Sequence, residues 1–272
     1  MTIEKVLITV KTYPALSEAY DELVCTAGFR EDGTWVRLYP IQYRKIENYD
    51  QKYKKWEWIE IDIQKNKADH RVESFRPVNQ DSIKVLKKIG TEQDWYERKK
   101  IIFERGSIYR DLEEIIKLNK DGILSLATFK PTNIIDLVVQ EVEREWDQSK
   151  IEKLKSKAKQ GDLFNDIQKV FKVVDKLPYK FSYKIEDVNG KQSTMMIEDW
   201  EIGALYWNAL KKYKNEIVAV EKVKEKYFVE FKEKKDIHFF LGTTKLWDKR
   251  GTNPFVIIGV FYPPKETQKT LF

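Results

Sequence analysis

The stretch CTAGFREDGTWVRLYPI (25–41) sets Arg30 and Arg37 among the rings of Trp35 and Tyr39, with Lys11, Tyr13 and Arg44 in its flanks. A guanidinium pairs with phosphate oxygens through a planar fork, and exposed rings stack on bases. Side chains of these types close together are what a small barrel uses to hold a nucleic-acid strand. The EDGT segment reads as a turn at Gly33, and the strand after it alternates, so Trp35, Arg37 and Tyr39 share one face while Val36 and Leu38 share the other. Two arrangements fit this pattern. Either the trio faces a polyanion, or Trp35 and Tyr39 form the core side and Arg37 sits at an edge or in a buried pair.

A second basic and aromatic cluster lies in GTTKLWDKRGTNP (242–254), where Lys245, Trp247, Lys249 and Arg250 stand between two apolar strands. A ring among cations on a loop suits gripping a backbone or an unstacked base, or covering the end of a barrel. The pentapeptide QKTLF, with Gln268, Leu271 and Phe272, resembles the bacterial sliding-clamp-binding motif: the amide offers hydrogen bonds and the Leu-Phe pair fills an apolar pocket. A related copy, QGDLF, occupies 160–164, where Leu163 and Phe164 could equally begin an amphipathic helix with Ile167, Val170 and Phe171.

Catalytic patterns are sparse. His70 and His238 belong to no metal-ligand spacing, and Cys25 lies mid-strand where a small buried thiol is the usual role. No glycine-rich phosphate loop is present, so neither a cofactor nor a resident metal is expected. Two acidic groups define the alternative, a metal-dependent nucleic-acid hydrolase: Glu198, Asp199 and Glu201, and the strand bearing Glu60, Asp62 and Lys65. The latter has Ile63 two residues before its lysine, where a restriction-type core needs a carboxylate.

These residues must be carried by a chain of 272 residues, 42% hydrophobic, with net charge +6 and a single cysteine. Such a chain builds one large core or two modest ones, without disulfides, and its mild positive balance favours polyanions. The longest apolar run, FVIIGVFY, is too short to span a bilayer, and the first thirteen residues carry charges where a signal peptide is apolar, so a cytoplasmic protein with no membrane partner is expected. The expected class is α+β. An OB-like antiparallel barrel over 1–148 carries a helical insertion at 80–121, with a helix cap at Thr91 backed by Asp94, and the strands 123–131 and 134–145 return to the first sheet. A linker or exposed helix covers 149–166, a second small β-rich unit with a helix covers 167–264, and a flexible tail covers 265–272. In the second unit VNGK marks a hairpin turn, and the long helical stretch after it breaks near Asn215.

The order Cys-Thr-Ala-Gly, a turn, then Asp-Gly-Thr-Trp-Val-Arg-Leu-Tyr-Pro resembles the start of the bacterial dual-OB (DuOB) domain family, with Cys25, Ala27, Gly28, Trp35, Arg37 and Pro40 at the matching positions. That resemblance implies two OB-like barrels, nucleic-acid binding (DNA or RNA) and a setting in defence or mobile-element systems. The expected function is therefore a nucleic-acid-binding accessory protein of bacterial DNA metabolism or defence, recruited to the sliding clamp through its tail. A protein-interaction module without nucleic acid is the remaining alternative.

Overall fold

The computed structural model describes residues 2–17, 21–41, 52–149, 151–153, 156 and 175–266. Its amino-terminal region is a closed barrel of five strands: β1 (Thr2–Lys11), β3 (Asp21–Phe29), β4 (Trp35–Ile41), β6 (Ser74–Pro77) and β5 (Glu57–Lys65), the last returning to β1. Every pairing is antiparallel except β4 with β6, where Arg37 lies opposite Ser74 and Leu38 opposite Phe75. This is an OB-like Greek-key barrel. A short β2 (Ala15–Ser17) pairs with β3, and β7 (Lys84–Lys88) pairs with β5.

The barrel closes because β1 serves two partners, reaching Ile63 through Glu57 with one edge and Phe29 through Thr26 with the other. Its VLITV run is buried at consecutive positions, Thr9 included, for a related reason: both faces are covered. Val6 and Ile8 point into the barrel with Val36, Leu38, Ile59, Ile61 and Ile63, while Leu7 and Val10 join Phe29, Trp56, Phe240 and Phe261 outside it. Gly28 lets β3 approach β1, since a β-carbon there would run into the carbonyl of Leu7. In β5 the residues Ile59, Ile61 and Ile63 are buried at alternate positions, and a register shift lies between Glu57 and Ile59.

The second unit comprises two sheets. One runs in the order β14 (Phe255–Phe261), β13 (His238–Thr243), β9 (Leu126–Phe129), β8 (Ile108–Tyr109); the other runs β10 (Asn133–Glu141), β11 (Tyr179–Glu186), β12 (Gln192–Met196). A parallel bridge from Ile197 to Ile257 links them. Helices α2 (Leu112–Lys120), α3 (Trp200–Tyr213) and α4 (Glu216–Lys224) pack with the rings of Phe129, Phe181, Tyr183 and Phe239 in the largest core. The Asn189-Gly190 hairpin turn and the helix break are present as expected: Gly190 is left-handed, and Asn215 caps α4 by accepting from the Val218 N–H at 3.1 Å.

Several expectations are corrected. Segment 84–88 is a strand instead of helix, because its register opposite β5 at Glu57, Ile59 and Glu60 satisfies its backbone. The strands at 126–129 and 133–141 do not return to the barrel. The former pairs with β13 and the latter with β11, so both belong to the second unit. Thr91 makes no side-chain cap on α1 (Glu92–Lys99); Gln93, Asp94 and Trp95 are left-handed there, turning the Trp95 ring toward Trp56. The helix continues as a π-helical segment, Lys100–Arg105. No helix among the described residues is long and apolar enough to cross a membrane.

Candidate nucleic-acid interface

Where the barrel meets the second unit the two do not close completely, leaving a cleft of about 740 Å³. The barrel contributes Tyr13, Tyr39, Arg37 and Arg71 to its wall. The second unit contributes Trp146, Tyr179, Lys176, Lys180 and Lys245. Glu198 is the one acid among the lining residues. The volume lies within the roughly 300–1,000 Å³ typical of sites for small organic ligands.

The rim is held by polar contacts between the two units. Arg37, only 1% exposed, donates from its two terminal nitrogens to the Ser125 hydroxyl at 2.7 Å and the Ser125 carbonyl at 3.1 Å, while its Nε has no partner. Burial and the neighbouring Arg71 charge both pull its guanidinium below the ordinary value. Arg71 forks onto Asp69 and also donates to the Thr243 carbonyl. Glu73 accepts from the Ser125 N–H at 2.8 Å and the Ser125 hydroxyl at 2.6 Å. At the basic loop, the buried Asp248 carboxylate accepts from Asn119 at 2.8 Å and from the Thr243 hydroxyl at 2.7 Å, and it meets His70 of the barrel at 2.8 Å. The loop is therefore anchored at its centre. Around that anchor Lys245, Lys249 and Arg250 are exposed, and Trp247 is 56% exposed.

Of the residues singled out in the sequence, Trp35 and Arg37 do not form an outward surface. Trp35, partly buried, packs on Phe29, with ring centres 3.9 Å apart, and on Phe240 at 5.3 Å, against the core joining the two units. Phe240 covers Trp35 and Ser125 covers Arg37, as the core-side arrangement has it for these two residues, whereas Tyr39 on the same face of β4 lines the cleft. Arg30 is committed to Glu4 at 3.0 Å and stacks on Phe75. Tyr39 and Tyr13 do reach the cleft; the Tyr13 hydroxyl donates to the Asp175 carbonyl at 2.8 Å and accepts from Trp207 at 2.7 Å. Lys245 reaches it from the loop, whereas Lys11 lines a neighbouring hollow. Arg44, Gln268, Leu271 and Phe272, like the 160–164 copy of the clamp-like peptide, lie outside the described residues.

Sequence reading missed Arg71, Trp146, Lys176, Tyr179, Lys180 and the cleft role of Glu198. Burial pushes the Glu198 carboxyl above its ordinary value, and no described group donates a hydrogen bond to it. Neither acidic group assembles a metal centre. Asp199 caps α3 through the Glu201 N–H at 3.1 Å, takes both oxygens to Lys55 at 3.1 and 3.0 Å, and accepts from the Val260 N–H at 3.1 Å. Glu60 pairs with Lys84 at 3.1 Å, and Lys65 donates to the Val72 carbonyl. Among the described residues no group of three His, Cys, Asp or Glu side chains is arranged to hold a metal ion.

An OB-like barrel fused through a shared core to a β-rich unit, with a basic and aromatic cleft at the seam, defines the class of protein. The chain belongs to the family described as Domain of unknown function (DUF8757), which matches residues 106–272. Residues 2–104 match a second family, Domain of unknown function (DUF8758). No curated protein matches the chain.

Proposed function

We propose that the protein binds nucleic acid by taking an unstacked base into the seam cleft. The observation that carries this reading is the meeting of Tyr39, Trp146 and Tyr179 with Lys176, Lys180 and Lys245 around one nucleotide-sized space. Rings supply stacking surface of any base sequence, and the ammonium groups follow the phosphates on either side. Glu198 supplies discrimination, since a carboxylate in the cleft wall accepts from an exocyclic amine of the base. Trp247, Lys249 and Arg250 are exposed on the loop that carries Lys245.

The setting, an accessory role in bacterial DNA metabolism or defence, rests on the short dual-OB resemblance. Recruitment to a sliding clamp rests on the QKTLF peptide alone. The test of the main reading is fluorescence anisotropy of labelled single-stranded DNA and RNA 12-mers with the full chain. Lys180→Glu combined with Lys245→Glu is expected to weaken binding by about tenfold or more, since each charge-assisted contact is worth roughly 1.5–3 kcal/mol. Binding unchanged in that variant sinks the cleft as the site.

A further inference from the structure

Beside the cleft, β1 sends Lys11 into a second hollow of about 350 Å³, which no part of the proposed function uses. Its wall sets Trp56, Trp95 and Trp200 with Lys11, Lys54, Lys88 and Arg98, and Glu201 is the one acid among its lining residues. Lys55 also lines it but is committed, at 3.0 Å to Asp199 and 3.3 Å to Glu201. Lys54, Lys88 and Arg98 have no carboxylate partner among the described residues. A concave site with these cations against one lining acid favours an anion of more than one charge.

Its central guanidinium is pre-positioned. Arg98, 6% exposed, lies 4.3 Å from the ring of Trp56 and 4.8 Å from that of Trp95. Its Nε and one terminal nitrogen both donate to the Ile89 carbonyl, at 3.2 and 2.9 Å, leaving the other terminal nitrogen with no described acceptor. An independent observation concerns the backbone that carries the two indoles. Trp56 has φ of 68° and Trp95 has φ of 67°, a left-handed conformation that bulky residues adopt at a cost of order 1–3 kcal/mol each. Strain of this kind persists where the position of a side chain matters.

We infer that this hollow binds a phosphate monoester attached to a planar base, either a free mononucleotide or the phosphorylated end of a strand. The monoester carries close to two negative charges at neutral pH, which suits Lys11, Lys54, Lys88 and Arg98 better than the single charge of an internal phosphodiester. The base is the natural occupant of the remaining indole-lined wall. The inference stands apart from the cleft: it needs neither Trp146 nor Lys180.

The test is a titration of the full chain, followed by intrinsic tryptophan fluorescence, with AMP, adenosine and inorganic phosphate in parallel. AMP is expected to bind at least about tenfold more tightly than either fragment, and Lys54→Glu with Lys88→Glu, both exposed positions that leave the core intact, is expected to weaken AMP by about tenfold. Arg98→Lys, which keeps the charge but not the fork, is expected to weaken it as well. Comparing a 5′-phosphorylated 12-mer with its 5′-hydroxyl form then assigns the source: preference for the phosphorylated strand indicates a strand end, and no preference indicates the free nucleotide. Adenosine binding as well as AMP overturns the inference. So does AMP affinity unchanged in the double lysine variant, which would put the nucleotide in the cleft and leave the cleft reading standing.

Discussion

Arg37 illustrates how a side chain chosen for chemistry can serve architecture first. Its guanidinium bonds Ser125 across the seam, so Arg37→Ala is expected to lower stability by about 2–4 kcal/mol, measured by denaturant unfolding, by stranding polar groups in a buried site. Sequence alternation named the right face but not what covers it. A strand buried on both sides reads the same as one exposed on a polar face when its outer residues are Trp, Arg and Tyr. Lys11 carries a second expectation. Burial, with Lys55 nearby and Glu57 opposing, pulls its amine down to about 8 from its ordinary 10.5. Below pH 8 the fold holds a charge it disfavours; between 8 and 10.5 the unfolded chain binds more protons, so stability gains with rising pH in that window. Anion binding in the hollow has the opposite sign. Phosphate-ester affinity is expected to fall as pH rises through about 8, and a flat profile between pH 7 and 9.5 would remove Lys11 from that site.

At the scale of elements, most strands were legible because β-branched runs and the Asn-Gly turn act locally. What failed depended on distant partners. Segment 84–88 looks helical in isolation and becomes a strand only because β5 presents a free edge, and β9 and β10 find β13 and β11, both distant in the chain. The start of α3 shows the same dependence. The acidic cluster at 198–201 resembles a metal site in sequence, yet Asp199 is spent on Lys55 and on the N–H groups of Glu201 and Val260. Burial pulls the Lys55 ammonium down, and Asp199 with Glu201 outweighs it, holding Lys55 above its ordinary value. Asp199→Ala should therefore behave as a stability variant, losing about 3–5 kcal/mol by leaving Lys55 buried without its main partner. If the variant keeps full stability and abolishes a Mg²⁺-dependent nuclease activity of the wild type, the alternative hydrolase reading gains.

For the whole molecule, the seam decides behaviour. Leu7, Val10, Phe29 and Trp56 of the barrel share one core with Leu126, Phe240, Ile258 and Phe261 of the second unit, so neither part buries its apolar surface alone. A single calorimetric transition is expected, and two well-separated transitions would contradict a shared core. His238 lies in this seam with its ring 4.8 Å from that of Phe103, and burial holds it down to about 4, with Asp236, Lys130 and Arg110 as its charged neighbours. Because its unfolded value is near 6.5, the unfolded chain takes up the proton first. Stability is expected to fall by up to about 3 kcal/mol as pH drops from 6.5 to 4, and His238→Phe should flatten that slope. The cleft itself was invisible to sequence reading because its walls come from segments far apart: Tyr39, Trp146, Lys180 and Lys245 meet only after the two units dock. The most direct measurement is photo-cross-linking of a 5-iodouracil-substituted strand to the full chain, with peptides mapped by mass spectrometry. The account predicts cross-links at Tyr39, Trp146 or Tyr179; cross-links confined to the barrel's far edge, or none above background, would contradict it.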